Sequence, residues 1–300
     1  MKELLLEEIN TSRLMLHPSA FPSLELLHKQ IRKGGKSPVE KYNSPTFTLS
    51  RNQKIAYISD TNNDVNFFDG FEPDSIAVIP IIGTMFKYDS WWTGTGMDTI
   101  ANFIRLADAS SNIAGIILLV NTPGGTTQSI IQLEDALRNR TKPCIGYIDG
   151  NCFSGGTYAI SLTDMIIAAN PMCMIGNIGV YIELVNSDAY YEQSGIKFIS
   201  IYPPESKYKN LAYTEAIDGN PDRLITENLS PYAQHFQDII KANRPNLDLK
   251  VEGVLEGKDF YATDAINNGL IDQIGSFETA VELLNNLVQE KKTFYSSFNN

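Results

Sequence analysis

Ile113-Ala114-Gly115-Ile116-Ile117-Leu118-Leu119-Val120 runs directly into Asn121-Thr122-Pro123-Gly124-Gly125. The first eight residues carry no polar side chain, which suits a strand buried on both faces in the middle of a parallel sheet. The Pro-Gly-Gly ending stops that strand, and residues 127–140 follow as a helix. Outward from this unit the pattern repeats. Cys144-Ile145-Gly146-Tyr147-Ile148 is a second apolar strand, and Asn151-Cys152-Phe153-Ser154-Gly155-Gly156 turns it into a helix through Thr157-Tyr158-Ala159-Ile160-Ser161-Leu162. Met165-Ile166-Ile167-Ala168-Ala169 is a further strand. Upstream, Ile76-Ala77-Val78-Ile79-Pro80-Ile81-Ile82-Gly83 precedes a helix over residues 98–109. Strands alternating with helices of this length predict an α/β fold with a mostly parallel sheet and crossover helices.

The flanks are less regular. Residues 1–70 read as an accessory segment: Leu24, Leu27 and Ile31 form one side of a short helix, residues 33–45 are a loop, and residues 59–66 are polar and turn-rich. Residues 86–97, with Trp91 and Trp92 among small polar residues, are either a self-packed loop or a flap over a groove. Downstream, residues 187–194 are helical and Phe198-Ile199-Ser200-Ile201-Tyr202 alternates like a strand. Residues 221–242 form a long amphipathic helix. Residues 257–261 lead into a helix that ends in a turn at Asn267-Asn268-Gly269, followed by a strand at Leu270-Ile271-Asp272. A closing helix over residues 277–290 completes a domain of residues 71–290, and residues 291–300 are a frayed tail.

Composition sets limits. A net charge of −11 argues against a general nucleic-acid binder. Three cysteines (Cys144, Cys152 and Cys173), without CxxC spacing, are neither a disulfide framework nor a metal set. With no HExxH motif either, no metal and no cofactor are expected. No apolar run reaches the ~18 residues of a membrane span, and the acidic N-terminus is not a signal peptide, so a cytoplasmic location without a membrane anchor is expected.

Both glycine turns, Gly124-Gly125 and Ser154-Gly155-Gly156, follow a strand and precede a helix. In a parallel sheet they lie at the carboxyl ends of the strands, where ligands bind. Side by side they supply converging N–H groups, the geometry of an oxyanion hole with a hydroxyl beside it. Neither has the spacing of a nucleotide-binding loop. Ser154 on its own reads more readily as a helix N-cap with glycine behind it. A nucleophilic serine needs a base. His17 and His28 lie in the accessory segment, and His235 sits on the long helix as a packing or surface residue. Lysine is the remaining option.

Four motifs, in order, resemble the signal peptide peptidase A family of serine–lysine peptidases, which shares the Clp protease/crotonase spiral of parallel strands and crossover helices. They are Asn121-Thr122-Pro123-Gly124-Gly125; Phe153-Ser154-Gly155-Gly156-Thr157-Tyr158; Ala168-Ala169-Asn170-Pro171 running into Gly176-Asn177-Ile178-Gly179-Val180; and residues 265–272 with their Asn-Gly-Leu-Ile-Asp ending. The resemblance implies Ser154 as nucleophile and a lysine some fifty residues on as base. Ser206-Lys207-Tyr208-Lys209-Asn210 matches the family's pattern with Lys209, whereas counting without a gap gives Lys207. The family often has a serine where this chain has Asn177, whose amide could still hold an amine. The absent membrane anchor and acidic charge resemble phage and prophage versions of the family, similar to capsid-maturation peptidases.

The function so implied is a serine endopeptidase with a Ser154–Lys209 dyad and an oxyanion hole from Gly124, Gly125 and Gly155. It would act on a peptide or protein substrate, and the resemblance implies a homo-oligomer. Two alternatives share the fold: a catalytically silent assembly scaffold, and a crotonase-type acyl-CoA hydratase or isomerase.

Overall fold

The computed structural model describes residues 14–17, 20, 47–49, 55–57, 67–90 and 93–298. The expectations for Leu24, Leu27, Ile31, Trp91, Trp92 and residues 33–45 and 59–66 lie outside the described residues.

The centre is a parallel ladder of β4 (Ser75–Ile82), β5 (Ile113–Thr122) and β7 (Cys144–Phe153). β7 is long enough to serve two neighbours. Its first half pairs in parallel with β8 (Met165–Ala168) and its last residues with β9 (Met174–Gly176). β11 (Gln273–Ile274) adds to β8 in parallel, and β10 (Asp259–Tyr261) closes against β9 antiparallel. On the far side β2 (Phe47–Leu49) lies antiparallel between β3 (Ile55–Tyr57) and β4. This is the expected α/β fold, with nine strands among the described residues in one mostly parallel sheet.

The alternation of β4 explains the two-layer core. Ala77, Ile79 and Ile81 join the large cluster beneath the crossover helices α1 (Met97–Ala109), α2 (Ile130–Asn139) and α3 (Gly155–Ser161). Ile76 and Val78 face the other way, with Ile117, Ile145, Tyr147 and Ile167, onto Ala280 and Leu284 of the C-terminal helix. Side chains on both faces are thus withdrawn from water, as the unbroken apolar run of β5 requires.

Several local expectations need correction. Residues 198–202 form no strand; Phe198, Ile199 and Ile201 are all exposed. Alternation makes a strand only where a sheet edge accepts it, and this stretch lies against none. The region expected as one helix over residues 221–242 is α-helical over Asp222–Leu224, widens to a π-turn over Ile225–Leu229, and is α-helical again over Ser230–Asn243. Pro231 has no N–H to offer the carbonyl four residues back, so the ladder shifts there. The expected strand at Leu270-Ile271-Asp272 begins later, at Gln273, because the Leu270 and Ile271 N–H groups both cap the preceding helix at the Ala265 carbonyl. The closing helix runs through the expected frayed tail, over Phe277–Phe298. Lys291 Nζ reaches the Thr141 carbonyl and Lys292 Nζ lies 2.9 Å from Asp74 Oδ1. Among the described residues no helix is long and apolar enough to cross a membrane.

Candidate active site

β5 and β7 run side by side with Thr122 opposite Cys152, so their carboxyl ends emerge together. β7 ends at Phe153, and Ser154 takes φ 50° and ψ −112° before the helix begins at Gly155. This is a strained conformation for a residue with a Cβ and costs of order 1–3 kcal/mol. The surroundings impose it. Ser154 N–H donates to the Gly176 carbonyl at 2.8 Å, and the Ser154 carbonyl accepts from Tyr158 N–H at 2.9 Å. Thr157 Oγ1 lies 2.8 Å from both the Cys152 and Gly176 carbonyls, pinning β7 and β9 to the same helix turn. The Ser154 side chain is buried, yet its Oγ has only a 3.5 Å contact to the Gly179 carbonyl. At that length the bond is weak, so the hydroxyl is held in place but not committed. The N-cap alternative fails here, since Ser154 makes no side-chain capping bond to its helix.

The second turn stands against the first. Gly124 has φ +90°, and a Cβ there would sit 2.1 Å from the Met15 carbonyl oxygen and 3.0 Å from Gly155 N. At Gly125 it would meet the Met85 carbonyl oxygen at 1.8 Å. Only glycine fits either position. Thr122 Oγ1 donates to the Gly83 carbonyl at 2.5 Å and accepts from Gly124 N–H at 3.1 Å. Met85 takes one edge of the short strand β6 (Gly124–Thr126): Met85 N–H donates to the Gly124 carbonyl and Thr126 N–H to the Met85 carbonyl. The N–H and carbonyl of Gly125 therefore face the opposite edge of β6, away from Met85. A Cβ built on Gly155 would lie 3.6 Å from Gly125 N, which measures how closely the two turns approach.

Neither candidate lysine hydrogen-bonds to Ser154 within the single chain. Both are exposed: Lys207 Nζ stands 5.1 Å above the Tyr208 ring, and the Lys209 N–H donates to the Ser206 carbonyl. Asn177, at φ 57°, directs its side-chain amide to the Gly257 carbonyl at 3.2 Å. His235 is the packing residue expected, its Nε2 3.2 Å from Tyr158 Oη, while Tyr158 donates to Glu134 at 2.7 Å. Burial, then the Glu134 bond, push the Tyr158 hydroxyl far above its ordinary range. Burial also holds the Cys152 thiol neutral, so it is no rival nucleophile.

Sequence reasoning missed one group at the site. β1 (Leu14–Leu16) pairs antiparallel with β6, and His17 stacks on Phe153 at 4.3 Å with its Nε2 2.8 Å from Asp259 Oδ2. A three-residue strand carries no readable period, and its partner lies more than a hundred residues away. A cavity of about 370 Å³ opens beside it, lined by Met15, Thr127, Ile130, Tyr158, His235 and Phe236 among others.

The fold and site together define a class: a parallel α/β protein presenting a strained serine at a strand-to-helix turn, opposite a second turn of glycine amides. The model of peptidase family S49 matches residues 136–291, just over half of the sequence and including Ser154 and both lysines, and the chain belongs to that family. It is 31% identical over 227 residues to protease 4 of Haemophilus influenzae, covering 73% of this chain and 36% of that protein. It is 24% identical over 234 residues to the capsid assembly protease C of Escherichia phage lambda, covering 73% of this chain and 51% of the phage protein. The chain thus spans about a third of the length of the protease 4 relatives it matches. Among solved structures, a mutant of the 1510-N membrane-bound stomatin-specific protease aligns over 71% of this chain and 84% of its own, at 16% identity and a TM-score of 0.47.

Proposed function

We propose that this chain is a serine endopeptidase in which Ser154 is the nucleophile and Lys209 the base. The observation that carries the reading is the strained, buried Ser154, whose hydroxyl makes only a weak 3.5 Å contact, on a turn that packs against Gly124-Gly125. Neutral Lys209 takes the Ser154 proton as Oγ attacks a peptide carbonyl. The N–H groups of Gly125 and Gly155 receive the oxyanion. The lysine proton passes to the leaving amine, and water then releases the acyl-enzyme. Asn177 supports the site from the β9 end.

Because Lys209 lies on an exposed segment and does not bond Ser154 within one chain, the dyad is completed in a homo-oligomer. Likeness to a capsid assembly protease favours phage or prophage capsid maturation, or processing of cytoplasmic proteins, as the setting. Ser154→Ala should abolish hydrolysis of a casein or peptide substrate. Lys209→Ala should do the same while Lys207→Ala retains turnover. Unchanged hydrolysis by the Ser154 variant would end the assignment, and retained activity in both lysine variants would place the base elsewhere. A silent scaffold of the same fold predicts no fluorophosphonate adduct on Ser154 in the assembled protein.

A further inference from the structure

The edge of β6 that a substrate would need is already filled by the chain itself. β1 lies antiparallel along it with Met15 opposite Gly125. One ladder step on, His17 N–H donates to the Pro123 carbonyl at 2.7 Å. Bonded pairs in an antiparallel ladder recur every second residue, so Met15 and Gly125 form the next bonded pair, with Gly125 N–H directed at the Met15 carbonyl. The glycine geometry agrees. A Cβ on Gly155 would have the Met15 oxygen at 3.5 Å and Gly125 N at 3.6 Å, so the oxygen sits where the two turns meet. The Met15 side chain is buried and lines the apolar cavity beside the Ser154 helix. His17 holds the segment down beyond this point through its stack on Phe153 and its bond to Asp259.

We infer that Leu14–His17 is an internal substrate strand, and that the Met15–Leu16 peptide bond is the first bond this enzyme cuts. A carbonyl in the amide cradle, a side chain in the adjoining cavity and backbone pairing on either side are what a bound peptide would present to Ser154. The inference rests on the peptidase reading. In the step, Ser154 Oγ bonds to the Met15 carbonyl carbon and the Met15–Leu16 C–N bond breaks. The Ser154 proton passes by way of Lys209 to the Leu16 nitrogen, which becomes a new amino terminus. Water hydrolyses the ester, releasing residues 1–15 with a carboxylate on Met15. Until then the strand excludes other substrates from the groove, so the uncleaved protein is a latent form.

Intact-mass measurement of the purified full-length protein over time tests this, with fluorophosphonate labelling and hydrolysis of an added peptide run in parallel. The expected result is a product beginning at Leu16 that forms in the wild type and not in Ser154→Ala, with a rise in added-peptide hydrolysis as it accumulates. Met15→Asp, which puts a carboxylate at an apolar cavity, should slow cleavage at this bond by roughly tenfold or more. A protein that labels at Ser154 and hydrolyses added peptide while residues 1–16 stay intact overturns the inference and leaves the peptidase reading standing. Cleavage at Met15–Leu16 in Ser154→Ala overturns the inference too. A protein that stays intact, unlabelled and inactive overturns the inference, and absence of label and hydrolysis even after this bond is cut removes the reading beneath it.

Discussion

The helix that follows Ser154 packs closely on β5 because the residue two places on has no side chain. A Cβ on Gly156 would lie 2.4 Å from Thr122 Cγ2, at the contact between the Ser154 helix and β5. Thr122 cannot simply turn away, since its Oγ1 bonds both Gly83 and Gly124. Gly156→Ala should therefore destabilise the protein by about 1–3 kcal/mol through overpacking, read as a lowered urea midpoint. Thr122→Ser removes the offending methyl and keeps the hydroxyl. Adding it to Gly156→Ala should recover most of the loss, with a coupling of about 1 kcal/mol or more in the double-mutant cycle. Strict additivity would mean that the two side chains do not meet. At this scale the sequence was legible in part. The two glycine turns announced themselves because Gly124, Gly125 and Gly156 leave no room for a side chain. The role of Thr122 did not, because a threonine at a strand end looks like any other.

At the scale of elements, Arg244 is the joint that matters most downstream. Its guanidinium grips Asp272 through two bonds of 2.8 and 2.7 Å, and its Nε donates to the Gly269 carbonyl at 3.0 Å. Asp272 Oδ2 also accepts the Ile166 N–H of β8 at 2.7 Å. One side chain thus ties the end of the long helix, the cap at Gly269 and a core strand. Arg244→Ala should cost about 1–2 kcal/mol, since it removes a two-pronged, charge-assisted pair at a joint that water partly reaches and the bond to the Gly269 carbonyl. Arg244→Lys should restore little, because an ammonium cannot match the fork. Equal urea midpoints for wild type and Arg244→Ala would refute this. The elements legible in the sequence were those whose own residues decide them: β4, β5, β7 and β8 with their crossover helices carry unbroken apolar runs or clean helical periods. The misread ones depend on distant partners. Residues 291–298 are helical because Lys291 and Lys292 find Thr141 and Asp74, and residues 198–202 alternate without a sheet to join. β1 was invisible for the same reason, since its conformation comes from Gly124–Thr126 rather than from Leu14–Leu16.

For the whole molecule, the stretch from Leu184 to Tyr208 is the part that a single chain leaves unexplained. Val185 is 81% exposed, Phe198 67% and Ile201 87%, and the same stretch carries Lys207. Large apolar side chains left exposed along one stretch are what an interaction site would present. Lys209, one residue beyond, is the base proposed for a serine it does not bond within its own chain. The proposed homo-oligomer would account for both: the stretch would pack on a neighbouring copy, bringing the amine to a serine as the apolar side chains leave water. With a net charge of −11 on each copy, association is opposed at low ionic strength. Raising salt toward 0.15 M, where the screening length falls to about 8 Å, should strengthen it. Ile201→Asp places a charge in the buried contact. It should shift the sedimentation coefficient to that of a smaller species and cut peptide turnover by about tenfold or more. Ser154→Ala, by contrast, should abolish turnover while sedimenting as the wild type does. An Ile201→Asp protein that turns over peptide at the wild-type rate as a monomer would show that one chain completes its own dyad, and the exposed stretch would then need another partner.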